Sequence, residues 1–64
     1  KILLWEMRTS KGFTLMELSK KSGIGKSTIN NIENGKVSPT LFQFEMIAIA
    51  LGVKITDLFE SEYK

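Results

Sequence analysis

The chain contains no cysteine and no histidine, and it has a single proline among its 64 residues. Without cysteine there can be no disulfide bond and no thiolate metal site, and without histidine the usual zinc ligand is also missing. A Ser-His-Asp triad, a zinc protease site and a metal-activated water are therefore excluded. We expect a protein that is not an enzyme and needs no metal or other cofactor. The lack of cysteine also fits a reducing compartment, so we expect a cytoplasmic protein.

Long hydrophobic runs are absent as well. The longest, near residues 44–53, is interrupted and far shorter than the roughly 20 residues of a transmembrane helix, so we expect no membrane partner. No signal peptide is visible. The first residue is Lys1 rather than Met, as expected if the natural N-terminus lies upstream. Hydrophobic residues make up 42% of the chain, which predicts one folded domain over residues 1–64.

Charge is distributed unevenly along the chain. Residues 1–40 contain seven basic and three acidic residues, a net charge of +4, whereas residues 41–64 contain two basic and four acidic residues, a net charge of −2. This asymmetry favours a polyanion as the partner of one face, although ordinary solvated lysines would give the same counts. The charges alone therefore leave both interpretations open.

Helix start and stop signals divide the chain into short segments. Thr14 with Glu17, and Thr40 with Gln43, have the spacing of capping boxes, which begin helices. Glycines follow four of the helical segments, and Gly23 suits the left-handed position just past a helix end. No segment shows the sustained alternation of a strand. These signals predict five helices, over about residues 1–11, 15–22, 26–34, 41–51 and 57–62.

The second and third predicted helices, about residues 15–34, have the pattern of a helix-turn-helix. Between them lies a tight turn in which Gly23 allows the chain to reverse, and the small Ser19 allows a close helix crossing. On the third helix Ile29 and Ile32 point to one side. The other side carries the polar residues Lys26, Ser27, Asn30, Asn31 and Asn34. Taken alone, this polar side is equally typical of an ordinary solvated surface.

The ordered set of residues resembles the phage-repressor and Cro-type helix-turn-helix family, also called the XRE-like family. The residues that carry the resemblance are Leu18, Ser19, Gly23, Ile24, Ile29, Ile32-Glu33-Asn34-Gly35-Lys36, Ser38-Pro39-Thr40-Leu41, Ile47-Ala48, Ala50-Leu51-Gly52-Val53 and Asp57-Leu58-Phe59. The resemblance implies an all-α, compact five-helix, lambda-repressor-like domain. It also implies sequence-specific binding of double-stranded DNA by the third helix in the major groove, usually as a dimer that regulates transcription. We expect a repressor that binds a palindromic operator.

Two kinds of DNA contact follow from this resemblance. Lysine can donate to guanine and asparagine can pair with adenine, whereas free backbone amides at a helix start bind phosphate. The expected base-reading residues are Lys26, Ser27, Asn30 and Asn31. The expected phosphate contacts are Thr14, Leu15, Thr28, Asn34, Lys36 and Lys11.

The resemblance also implies one structural ion pair, and the sequence departs from the family at one expected contact. Arg8 and Glu33 occupy the positions of an ion pair between the first and third helices. Leu15 stands where the family most often has glutamine, and its side chain cannot form a hydrogen bond. The Leu15 side chain could instead contact the methyl group of a thymine, or pack against neighbouring residues of the domain.

The fourth predicted helix is apolar on two sides. One stripe faces inward in the predicted fold and consists of Leu41, Phe44, Ile47, Ala48 and Leu51. A second stripe, the α4 stripe, lies almost opposite and consists of Phe42, Met46 and Ile49. Exposed apolar stripes of this kind mark partner surfaces. We therefore expect a homodimer interface formed by Phe42, Met46, Ile49, Leu58 and Phe59. The alternatives are a contact through Trp5, or an antitoxin-like or anti-regulator module in which the stripe binds a different protein and DNA binding is weak.

Overall fold

The structure, a computed structural model, describes residues 1–64 as four α-helices followed by one turn of 3₁₀ helix. The α-helices are α1 (Leu4–Ser10), α2 (Leu15–Ser22), α3 (Lys26–Glu33) and α4 (Leu41–Leu51), and the 3₁₀ helix is Ile55–Leu58. The all-α class is confirmed, but the prediction of five α-helices is wrong by one. None of the helices combines the length and apolar content needed to cross a membrane.

Both capping boxes form as the sequence predicts. Thr14 Oγ1 accepts from the Glu17 amide at 3.1 Å, and Glu17 Oε1 accepts from the Thr14 amide at 2.9 Å. Thr40 and Gln43 make the same two bonds at 3.0 Å each. These reciprocal bonds satisfy amides that a helix start leaves without partners, so α2 and α4 begin where predicted.

The two ends of the chain differ from the prediction because they pair with each other. The first helix begins at Leu4 rather than at residue 1, since the Leu3 amide donates to the Leu58 carbonyl at 2.8 Å. Ile2 and Phe59 form an isolated antiparallel bridge. A helix over residues 57–62 is therefore wrong: the chain is already extended at Phe59, where it is held against the N-terminal segment.

The hydrophobic core lies between α2, α3 and α4 and is closed by α1 and the 3₁₀ helix. Leu41, predicted to face inward, is instead 78% exposed. The first buried residue of α4 is Phe44, so Leu41 lies one turn outside the packed part of the helix. The buried core residues are Leu4, Leu18, Ile24, Ile29, Ile32, Phe44, Ile47, Ala48, Ala50, Leu51 and Leu58.

A buried ion pair fixes α1 against α3. Arg8 Nε lies 2.6 Å from Glu33 Oε2, and Arg8 Nη2 lies 3.1 Å from Glu33 Oε1. Arg8 Nη1 also donates to the Phe13 carbonyl at 2.8 Å. The two side chains are only 10% and 3% exposed. One guanidinium thus ties together α1, α3 and the loop that leads into α2.

Candidate nucleic-acid interface

The turn between α2 and α3 is held by local hydrogen bonds. The Gly23 amide donates to the Ser19 carbonyl at 2.9 Å, and Gly23 has a φ of +77°, a left-handed conformation that glycine adopts without steric cost. The buried Ser22 hydroxyl accepts from the Ile24 amide at 3.1 Å. This bond is not among the predictions made from the sequence. Serine side chains often bond to nearby backbone groups, so the serine at the end of α2 was the available signal.

The core decides which side of α3 faces outward. Ile29 and Ile32 are completely buried, so the opposite side of the helix is turned to solvent. Lys26, Ser27 and Asn30 are exposed on that side, whereas Asn31 is half-buried. The fold therefore presents short hydrogen-bonding side chains from the first turns of α3 on one surface. Their contact with DNA bases stays a prediction.

The predicted phosphate contacts lie at two places. Thr14 and Leu15 mark the start of α2, with Lys11 exposed in the preceding turn, whereas Asn34 and Lys36 are exposed just after α3. Thr28 is half-buried on α3. The Asn30 side-chain oxygen accepts from Asn34 Nδ2 at 3.4 Å. This bond links the outward side of α3 to the residue that follows the helix.

An open depression of about 520 Å³ joins the starts of α2 and α3. At its edge the amides of Leu15 and Met16 have no hydrogen-bond partner, so they remain available to an anion, whereas the Glu17 amide is bound by Thr14. Arg8 is already paired with Glu33, which leaves Lys26 as the unmatched cation of the depression. The lining residues are Arg8, Thr9, Gly12, Phe13, Thr14, Leu15, Met16 and Lys26.

The charge at the start of α2 is stabilised by the capping box. Hydrogen bonds from the Thr14 backbone amide, and then from its side chain, hold the pKa of the Glu17 carboxyl below its ordinary value. Glu17 is therefore ionised at neutral pH, where it complements the positive end of the helix dipole. Its Oε1 atom is engaged by the Thr14 amide, so the carboxylate holds the helix start in place.

The apolar surface on α4 is partly as predicted. Phe42 is 65% exposed and Ile49 is 67% exposed, whereas Met46 is half-buried against the core. The inclusion of Leu58 in a dimer interface is wrong, because it is completely buried within its own domain. Phe59 is half-buried and stacks on Phe44 with 6.4 Å between ring centroids.

Comparison with known proteins identifies the family. A family profile described as helix-turn-helix matches residues 6–58, and the chain belongs to this family. An uncharacterised HTH-type transcriptional regulator of Archaeoglobus fulgidus is 41% identical over 54 residues, which cover 84% of this chain and 77% of the relative. The antitoxin HipB of Escherichia coli is 40% identical over 50 residues, 78% of this chain and only 57% of HipB.

Solved structures agree with the family assignment. The restriction-modification controller protein C.AhdI from Aeromonas hydrophila superposes with a TM-score of 0.83 at 32% identity, covering 88% of this chain and 85% of that chain. The N-terminal DNA-binding domain of SinR from Bacillus subtilis gives a TM-score of 0.82 at 27% identity, covering 95% and 90% of the two chains. Family and fold together make this chain a DNA-binding transcription regulator.

Proposed function

We propose that the domain binds double-stranded DNA sequence-specifically by placing the first turns of α3 in the major groove. As a homodimer on a palindromic operator in the cytoplasm, it represses transcription by occupying the site. The observation that carries this proposal is the outward side of α3. Lys26, Ser27 and Asn30 are exposed there, opposite the buried Ile29 and Ile32.

The side chains on this surface suit base edges. Lysine donates to the guanine O6 and N7 atoms, asparagine binds adenine N6 and N7 with two hydrogen bonds, and serine pairs with several bases. In helix-turn-helix proteins the N-terminal residues of the second helix contact the bases. Lys26 and Ser27 are the first two residues of α3, and Asn30 and Asn31 lie one turn further along.

Phosphate contacts on both sides of α3 orient the helix in the groove. The free amides at the start of α2 lie on one side, and the exposed Asn34 and Lys36 lie on the other. Contacts of this kind fix register and orientation without reading sequence. Lys11 and Thr28 complete the proposed phosphate set.

The α4 stripe supports the dimer. Phe42 and Ile49 expose large apolar side chains on a helix whose opposite side is already buried in the core, and Met46 lies between them. Two-fold pairing through this stripe buries surface that a 64-residue, cysteine-free domain needs for stability. It also allows the two copies of α3 to be spaced about 34 Å apart, one turn of DNA, as a palindromic site requires.

Asn31 offers the sharpest test of base reading. The operator is first selected from random duplexes with the purified domain. Asn31→Ala is then expected to cost about 1–3 kcal/mol on that site and to relax preference at one base position, because one bidentate contact is lost. Binding to unrelated duplex, measured by anisotropy, serves as the control and is expected to stay unchanged. Unchanged affinity and preference on the selected site would remove Asn31 from the reading surface.

A second candidate function is binding of another protein. The antitoxin HipB is among the relatives, and the exposed Phe42 and Ile49 would suit a protein partner as well as a second copy. In that case α3 would bind DNA weakly. A gel-shift assay on random duplex at two salt concentrations, together with the operator selection described above, separates the candidates. A steep salt dependence and a selectable site favour the regulator, and the absence of both favours the interaction module.

A further inference from the structure

The starts of α2 and α3 combine an apolar surface with a cation. Leu15 and Met16, the first two residues of α2, line the same open depression as Lys26, the first residue of α3. Met16 is 54% exposed, and Leu15 is only partly covered by the core. Together with Phe13, these two side chains form an apolar part of the depression that Lys26 also lines.

Core packing does not account for both side chains. Leu18, one turn further along α2, is completely buried in the core, and Leu15 packs against the core with only part of its side chain. Met16 lies about 160° from Leu18 around the helix, so it points away from the core. The exposed parts of Leu15 and Met16 therefore remain available to whatever the depression meets.

The charge of the depression selects its occupant. Glu33 neutralises Arg8, so Lys26 is the unmatched cation among the lining side chains, and the free amides of Leu15 and Met16 add positive potential beside it. An apolar protein segment gains nothing from these groups, whereas duplex DNA presents phosphates beside base edges. The only apolar group that a major-groove edge offers is the 5-methyl group of thymine.

We infer that Leu15, extended at its flank by Met16, contacts the 5-methyl group of a thymine next to the base pair that Lys26 reads. This inference rests on the proposed placement of α3 in the major groove. The side chain of Leu15 reads the methyl group, while its backbone amide remains free for phosphate. Each half-site is therefore expected to prefer thymine at that position because of its methyl group.

Replacement of thymine by deoxyuridine tests the inference directly, because it removes the methyl group and keeps every hydrogen-bonding atom of the base edge. Each thymine of the selected half-site is replaced singly, and affinity is measured by fluorescence anisotropy. One replacement is expected to weaken binding by the wild-type domain about fourfold, the change that corresponds to burial of one methyl group. If no single replacement lowers the affinity, the inference is wrong.

Two variants assign the effect to Leu15. Leu15→Ala and Leu15→Gln are both expected to bind the thymine and deoxyuridine duplexes equally at that position. The matched control is Leu41→Gln. Like Leu15, Leu41 is the first residue of a helix capped by threonine, and it is exposed, but it lies outside the depression. Leu41→Gln is expected to keep the fourfold difference. A methyl effect that persists in Leu15→Ala would overturn the assignment.

The failure of this inference is distinguishable from failure of the proposed function. If Asn31→Ala weakens binding to the selected operator but every deoxyuridine duplex binds normally, α3 reads bases and Leu15 does not. If neither change affects binding, α3 does not lie in the major groove as proposed, and the methyl contact is then excluded as well.

Discussion

At the scale of single residues, the Arg8–Glu33 pair shows how one interaction can organise a small fold. Its two hydrogen bonds join α1 to α3, and a third bond from Arg8 reaches the Phe13 carbonyl just before α2. Both side chains are almost completely buried. Breaking such a pair from one side leaves an uncompensated charge in the interior.

Glu33→Gln is expected to lower the free energy of unfolding by about 3–5 kcal/mol, because Arg8 would keep its buried charge without a counter-ion. Chemical denaturation measures the loss. The matched control is Glu60→Gln, which removes the exposed Glu60–Lys64 pair at 3.5 Å and is expected to change stability by less than about 1 kcal/mol. Equal effects of the two substitutions would contradict a structural role for the buried pair.

Lys36 is also best tested as a single residue. Its exposed side chain follows α3, where a phosphate contact carries no sequence information. Lys36→Ala is expected to weaken all duplexes about equally and to lower the slope of log affinity against log salt by about 1, because one fewer counter-ion is released.

Lys20→Ala removes the same charge from an exposed position on α2 and serves as the control. It is expected to leave the salt slope unchanged. A loss confined to one DNA sequence in Lys36→Ala would instead assign Lys36 to base reading.

At the scale of elements, α2 and α4 begin with the same reciprocal cap but with different chemistry. Glu17 supplies an ionised acceptor at the start of α2, whereas Gln43 supplies a neutral one at the start of α4. Because the folded protein lowers the pKa of Glu17, the unfolded chain binds more protons in mildly acidic solution. The stabilisation is therefore present above the unfolded pKa and is lost as pH falls through the folded value.

Glu17→Gln is expected to keep the cap, as Gln43 does in α4, and to flatten the acid side of the stability curve below about pH 4.5. Thermal unfolding measured from pH 7 to pH 3 checks this expectation. As the pH is lowered over that range, the melting temperature of the wild-type domain should fall more steeply than that of Glu17→Gln. If the two proteins lose stability in parallel, other carboxyl groups control the acid transition.

The elements also show where local signals were sufficient and where they were not. Threonine capping boxes and glycines in left-handed positions determine their own neighbourhood, so the bounds of α2 follow from sequence. The predicted helices over residues 1–11 and 57–62 do not form at their outer ends, because residues 1–3 pair with residues 58–60 instead. That pairing spans almost the whole chain, and no local pattern can predict it.

At the scale of the whole molecule, the apolar stripe on α4 is the surface through which we propose that two copies pair. Ile49→Lys is expected to give a monomer by sedimentation and much weaker binding to a two-half-site operator, because a charge would be buried at the interface. The control is Trp5→Lys, since Trp5 is also exposed but lies on α1. A mutant at Ile49 that remains dimeric at micromolar concentration, or a monomeric Trp5 mutant, would locate the interface elsewhere.

The sequence alone specifies the helix-turn-helix, because the capping box of α2, the glycines of the turn and the apolar spacing are local signals that act over a few residues. It also determined which side of α3 faces outward, since Ile29 and Ile32 recur at helical spacing. The burial of Leu58 and the exposure of Leu41 follow only from the way the chain packs in three dimensions. Burial at those positions depends on which distant segments pack against them: Leu58 is enclosed where the two chain ends meet, and α4 enters the core only at Phe44.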